Sequence, residues 1–158
     1  MDNLELYALA KATNSSDAPR QDGVLAALID RSLTNIVIPN SVTSIGSYAF
    51  SQCKSLTNIV IPNSVTSIGP SAFTYCYGLT AVNIPNSVTN VAASAFNSCI
   101  GLMTVTFKGT PEQIEGNTFA NCANLTDIYV PWAEGTVANA PWGATKATIH
   151  YEYMEGSE

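Results

Sequence analysis

The sequence predicts an α/β solenoid, a stack of similar coils that share one parallel β-sheet. Three observations carry this. The string IPNSVTSIG occurs at Ile38–Gly46 and again at Ile61–Gly69, and a third copy begins IPNSVT at Ile84. The apolar landmarks keep the same 23-residue spacing: Leu33, Leu56, Leu79, Leu102 and Leu125, then Phe50, Phe73, Phe96 and Phe119, with Trp142 in the fifth place. Cys53, Cys76, Cys99 and Cys122 obey it too. A fixed period of roughly 20–50 residues marks a repeat architecture. Each unit is too small to bury its own apolar face, so the recurring slots are read as a core shared between neighbours.

One coil, Leu33–Ser55, explains the period. Leu33, Ile36 and Ile38 follow the L-x-x-L-x-L pattern of a repeat strand. Buried Ile36 and Ile38 alternate with outward Asn35 and Val37, the period-2 signature of a half-buried strand. Pro39 stops the ladder because it has no N–H to donate, and Pro-Asn-Ser is turn chemistry. Val42 and Ile45 return to the core before Gly46. Ser47 is then in position to cap a short helical turn. Ala49, Phe50 and Cys53 lie at i, i+1 and i+4, which suits one inward helical face. Stacked strands about 4.8 Å apart predict one sheet about 25–30 Å long.

The ends depart from the repeat. Residues 1–32 read as a helical N-terminal cap or docking segment, with Asp2 and Glu5 at capping-box spacing. Asp22 to Ser32 keeps Gly23, Ala27 and Asp30 in register with Gly46, Phe50 and Cys53, as a degenerate half-repeat turned helix would. The solenoid proper spans 33–143, about five repeats. Residues 144–158 form a closing strand and tail. ATIHYEY (Ala147–Tyr153) alternates as an edge strand does, and its His150 and Glu152 discourage further pairing.

Composition removes several functions. The net charge is −6, and between Ser32 and Pro111 the only charged residues are Lys54 and Lys108. No basic stripe exists to displace counterions from nucleic acid. No apolar run approaches the ~18 residues of a membrane span, and the first residues do not read as a Sec leader. Zinc sites draw on closely spaced ligand pairs. Cysteines one coil apart form a line instead, and parallel Cβ vectors suit a disulfide poorly. The spacing favours a buried thiol ladder over disulfides or a metal site. No cofactor motif is present. Catalysis has little to work with: His150 is the only histidine, and Glu112 and Glu115 read as a solvated loop.

What the repeat leaves free is the outward side of the strands. On the 23-residue period one column reads Val37, Val60, Asn83, Thr106, Tyr129, Glu152, and its neighbour Asn35, Asn58, Ala81, Thr104, Asp127, His150. Variety grows toward the C-terminus. Asn83, Thr104, Thr106, Asp127, Tyr129 and His150 are therefore the candidate ligand contacts on the concave sheet, polar groups around an aromatic ring. Asp127 and His150 are expected to pair there.

Leu-x-x-Ile-x-Ile-Pro, Val-x-x-Ile-Gly and Ala-Phe-x-x-Cys on this period make the chain resemble the BspA-like (treponemal-type) leucine-rich repeat family from about Leu33 to Trp142. The fourth copy departs at FKGTPEQI (Phe107–Ile114), a variant within the family's range. The resemblance implies a right-handed solenoid and no family-wide catalytic residue. It also implies a cell-surface protein that binds host matrix proteins or other cells, hence a non-enzymatic module for protein binding or adhesion. The alternative is a structural component of a virion or other assembly, docked by its N-terminal helix.

Overall fold

A computed structural model of the protein describes residues 34–38, 40–154 and 156. The expected N-terminal helical cap lies outside them. Each coil begins with a strand whose central side chain is buried: β1 (Asn35–Val37), β3 (Asn58–Val60), β5 (Ala81–Ile84), β7 (Thr104–Phe107) and β9 (Asp127–Tyr129), followed by β10 (Thr148–His150). Two-residue strands on the next side of the coil, β2 (Ser44–Ile45), β4 (Ser67–Ile68), β6 (Asn90–Val91) and β8 (Gln113–Ile114), form a second parallel ladder.

The single predicted sheet is thus replaced by two columns of parallel strands. The second runs unbroken in the order β2-β4-β6-β8, while the main column is a β1-β3 pair and a four-stranded β10-β9-β7-β5 sheet. Pairs up to β9 keep the 23-residue register, as in Ile36 beside Ile59, Ile45 beside Ile68 and Val82 beside Val105. Serine at 44 and 67 and valine or isoleucine at 45, 68 and 91 give these short strands one inward and one outward side chain, which is all a corner of the coil requires.

The predicted helical turns are also corrected, because none of the described residues is helical. The segment after Gly46 is a run of tight turns. Tyr48 and Gln52 sit at φ 60° and 63°, and Ser71 with Tyr75 and Ser94 with Ser98 repeat the device. Left-handed residues at every fourth position are incompatible with a right-handed helix. The stacking supplies what a helix otherwise would. Ala49, Ser51 and Cys53 donate their N–H groups three residues back within the coil. The amides between them, Tyr48, Phe50 and Gln52, donate to Pro70, Ala72 and Thr74 of the next coil. Every one of these amides is satisfied, as burial demands.

The core is the set of repeated slots. Leu56, Leu79, Leu102 and Leu125 are fully buried, and so are Phe73, Phe96 and Phe119. Phe50, Phe73 and Phe96 stack at 5.2 and 5.0 Å between centroids with nearly parallel planes, and Phe119 continues the spine at 5.7 Å. The cysteines are free and buried. Their thiols donate to the carbonyl of the phenylalanine one coil back: Cys76 to Phe50, Cys99 to Phe73 and Cys122 to Phe96, at 3.1–3.2 Å. Burial pushes these thiols up, Cys122 to about 11.

The last coil changes the pattern. Trp142 fills the phenylalanine slot completely buried, and its indole N–H donates to Ala138 O at 2.7 Å. Trp132 packs edge-on against Trp142 and Phe107, and Phe107 lies tilted against Trp142, so three large rings close this end of the core. From Trp142 to the next strand the chain is two residues shorter than from Phe119 to Asp127. Ala144, not Thr145, then donates three back as Cys122 does.

Candidate functional site

That shortening changes which side chains meet on the main sheet. Thr148 lies beside Asp127, and His150 lies beside Tyr129. The columns expected from strict 23-residue spacing, with His150 beside Asp127 and Glu152 beside Tyr129, are therefore corrected. One row reads Asn83, Thr106, Tyr129, His150, and the next reads Ala81, Thr104, Asp127, Thr148. All six candidate residues lie on this face of β5, β7, β9 and β10.

His150 and Asp127 still meet, on the diagonal. The imidazole Nε2 lies 2.8 Å from Asp127 Oδ1, and the Thr126 hydroxyl donates to Oδ2 at 2.8 Å. The His150 hydrogen bond first, and Thr126 second, hold the Asp127 carboxyl below the usual carboxylate range. Both side chains are a little over a third exposed, so this is a surface pair that orients a ring rather than a buried charge. The ring it orients stacks on Tyr129, 4.4 Å between centroids and 14° between planes. Asn83, Thr104 and Thr106 occupy the same face, with Thr106 beside Tyr129 and Thr104 beside Asp127.

A third ring completes the site. Glu152, at φ 56°, turns the chain back over the sheet. The amides of Glu152 and Tyr153 donate to Trp132 O and Val130 O. Tyr153 lands against Tyr129, 4.7 Å between centroids. Tyr153 also borders a cleft of about 300 Å³ lined by Thr106, Phe107, Lys108, Pro131, Tyr153 and Met154. Sequence reasoning missed Tyr153 and the cleft. A glutamate is not a recognisable left-handed turn residue, so nothing local announced that the tail reverses there. The exposed threonines elsewhere serve the stack itself: the hydroxyls of Thr57, Thr66 and Thr89 donate to the carbonyl of the residue one coil back.

The fold and this surface define a parallel leucine-rich repeat solenoid. A family model described as BspA type leucine-rich repeat region matches residues 27–139 in six copies. The chain belongs to that family. Two crystal structures share the fold at similar strength. One is a leucine-rich cell surface protein from Faecalibacterium prausnitzii, 31% identical over 61% of this chain and 25% of that one, with a TM-score of 0.59. The other is a leucine-rich repeat protein from Eubacterium ventriosum, 30% identical over 62% and 26%, also at 0.59. This chain thus spans about a quarter of the length of either. The pneumococcal vaccine antigen PcpA shares the fold at 19% identity and a TM-score of 0.55, over 77% of this chain and 36% of that one. No curated protein matches the chain at a significant level.

Proposed function

We propose that the chain is a non-enzymatic, surface-associated repeat module that holds a protein partner on the C-terminal part of its main sheet. The observation that carries this reading is the ring cluster in which His150, anchored by Asp127, stacks on Tyr129 and Tyr153 leans against it. Aromatic groups that are rigid before binding lose little freedom on contact, which makes them effective anchors. Asp127 is bonded to both His150 and Thr126 and holds the imidazole flat on Tyr129, which favours an orienting role. Charge adds to the contrast along the solenoid: between Glu112 and Met154 there are five acids (Glu112, Glu115, Asp127, Glu134, Glu152) against Lys146. The first half of the repeats has no acid at all. A related structure described as a cell surface protein is consistent with display outside the cell.

The test compares capture of proteins from the native source by the wild type, Tyr129→Ala and Val60→Ala, the last on β3 in the separate two-stranded part of the main column. A partner held by Val60→Ala and lost from Tyr129→Ala supports the site. A partner held equally by all three removes it.

A further inference from the structure

We propose that the cleft beside Tyr153 is a subsite for one pyranose ring of a neutral glycan. The first argument is preorganisation. The Tyr153 wall is set before any ligand arrives: its amide is bonded to Val130 O at 2.9 Å and its ring rests on Tyr129. Tyr129 is in turn stacked on His150, and His150 is tied to Asp127. Three side chains, Asp127, His150 and Tyr129, thus act in series to hold the Tyr153 ring, and they are positioning residues. An ordered aromatic wall lowers the entropic cost of binding.

The second argument is the mixture of chemistry. Pro131, Met154 and Tyr153 give the cleft an apolar side, and Thr106 stands on the outward face of β7 beside it, while the Phe107 ring is turned into the core. A purely aliphatic peptide side chain would cover the Thr106 hydroxyl without giving it a partner, which is costly. A pyranose offers a C–H face to the Tyr153 ring and a hydroxyl to Thr106. The volume, about 300 Å³, lies at the low end for ligand clefts and suits one ring rather than several.

The third argument is charge. Lys108 lines one side and already has a partner within the protein. Among the described lining residues Lys108 carries the one charge, and because it is already engaged a neutral ligand suits the cleft. The glycan has two sources, a polysaccharide or the sugar chain of a glycoprotein, and the chemistry is the same for both.

The inference rests on this end of the sheet being a recognition surface, and its test separates the two ideas. The isotope-labelled full chain is titrated with cellotriose, chitotriose and mannotriose, followed by amide shifts. At least one sugar is expected to shift Thr106, Lys108 and Tyr153 saturably in the millimolar range. Tyr153→Ala should weaken that binding at least tenfold. Thr106→Val, which keeps the volume, should weaken the sugar severalfold while leaving N-acetyltryptophanamide unaffected. Asp127→Ala should weaken the sugar severalfold and also move the Tyr153 ring resonances in the free protein, a change that loss of a mere surface charge does not cause. If no sugar shifts these amides, or N-acetyltryptophanamide does so at lower concentration, the proposal is overturned. Pull-down on insoluble cellulose, chitin and mannan, and on an N-glycosylated protein before and after deglycosylation, distinguishes the sources. A protein partner that still binds Thr106→Val after deglycosylation leaves the recognition surface standing and removes the sugar subsite.

Discussion

Truncating Phe73 to alanine removes the middle of the aromatic spine, and the structure sets the size of the loss. Phe73 is fully buried between Phe50 at 5.2 Å and Phe96 at 5.0 Å, with planes within 10° and 7° of theirs. Withdrawing the ring from its apolar surroundings costs about 2–3 kcal/mol. The cavity and two lost offset stacks, each worth about 0.5–1.5 kcal/mol, bring the total to about 4–5 kcal/mol. That is a large share of a typical stability of about 5–15 kcal/mol. Phe73→Leu keeps much of the volume and should lose about 1–2 kcal/mol. The assay is urea unfolding at equilibrium, followed in parallel by far-ultraviolet circular dichroism and by tryptophan fluorescence. Both tryptophans, Trp132 and Trp142, sit in the last coil, so fluorescence reports that end while dichroism reports the whole ladder. Coils couple only to their neighbours. Breaking the spine at Phe73 should therefore separate two transitions that coincide in the wild type, with fluorescence the later. A loss under about 2 kcal/mol with coincident transitions would refute the shared-spine account.

Three further outcomes are expected. Gly101→Ala should lower stability by about 2–3 kcal/mol, because the added Cβ collides with the backbone carbonyl of Tyr77 in the coil below; a thermal midpoint within a degree of wild type would show that the coils yield there. Asp127 is a carboxylate held low, so its stabilising effect is present above the ordinary aspartate value near ~3.9 and is lost as pH falls through its lower folded value. The difference in midpoint between wild type and Asp127→Asn should accordingly be present at pH 6 and shrink as pH falls below the ordinary aspartate range, and a difference that stays constant on acidification contradicts the pairing. Native protein at pH 8 should react with a disulfide reagent only as fast as it unfolds, since all four thiols are buried and those of Cys76, Cys99 and Cys122 are both raised and hydrogen-bonded. Fast labelling of the folded chain contradicts the thiol ladder.

How much was legible follows from where the repeat holds. Ile36, Ile45, Leu56 and Phe73 were readable as core because a residue that recurs at every coil has the same neighbours above and below it. The strand pairing in register followed from the same identity. The arc after Gly46 was misread as helix because Ala49, Phe50 and Cys53 fit a helical face equally well. Choosing between a helix and alternating left-handed turns needs to know whether the next coil offers acceptors, as Pro70, Ala72 and Thr74 do. The site was legible in part. Asp127, Tyr129 and His150 were found by their variety, but their register was displaced by two residues.

By itself, the sequence determined the period, the parallel solenoid, the buried slots and the burial of the cysteines, because these depend on a pattern that each coil repeats against its neighbour. Tertiary structure alone decided the second strand column and the helix-free arc. It also decided the two-residue slip that lays His150 on Tyr129, and the return of Tyr153 over the sheet. Those features arise at the last coil or between coils. There the partner of a backbone amide or a ring lies some twenty residues away, and local propensity carries no information about it.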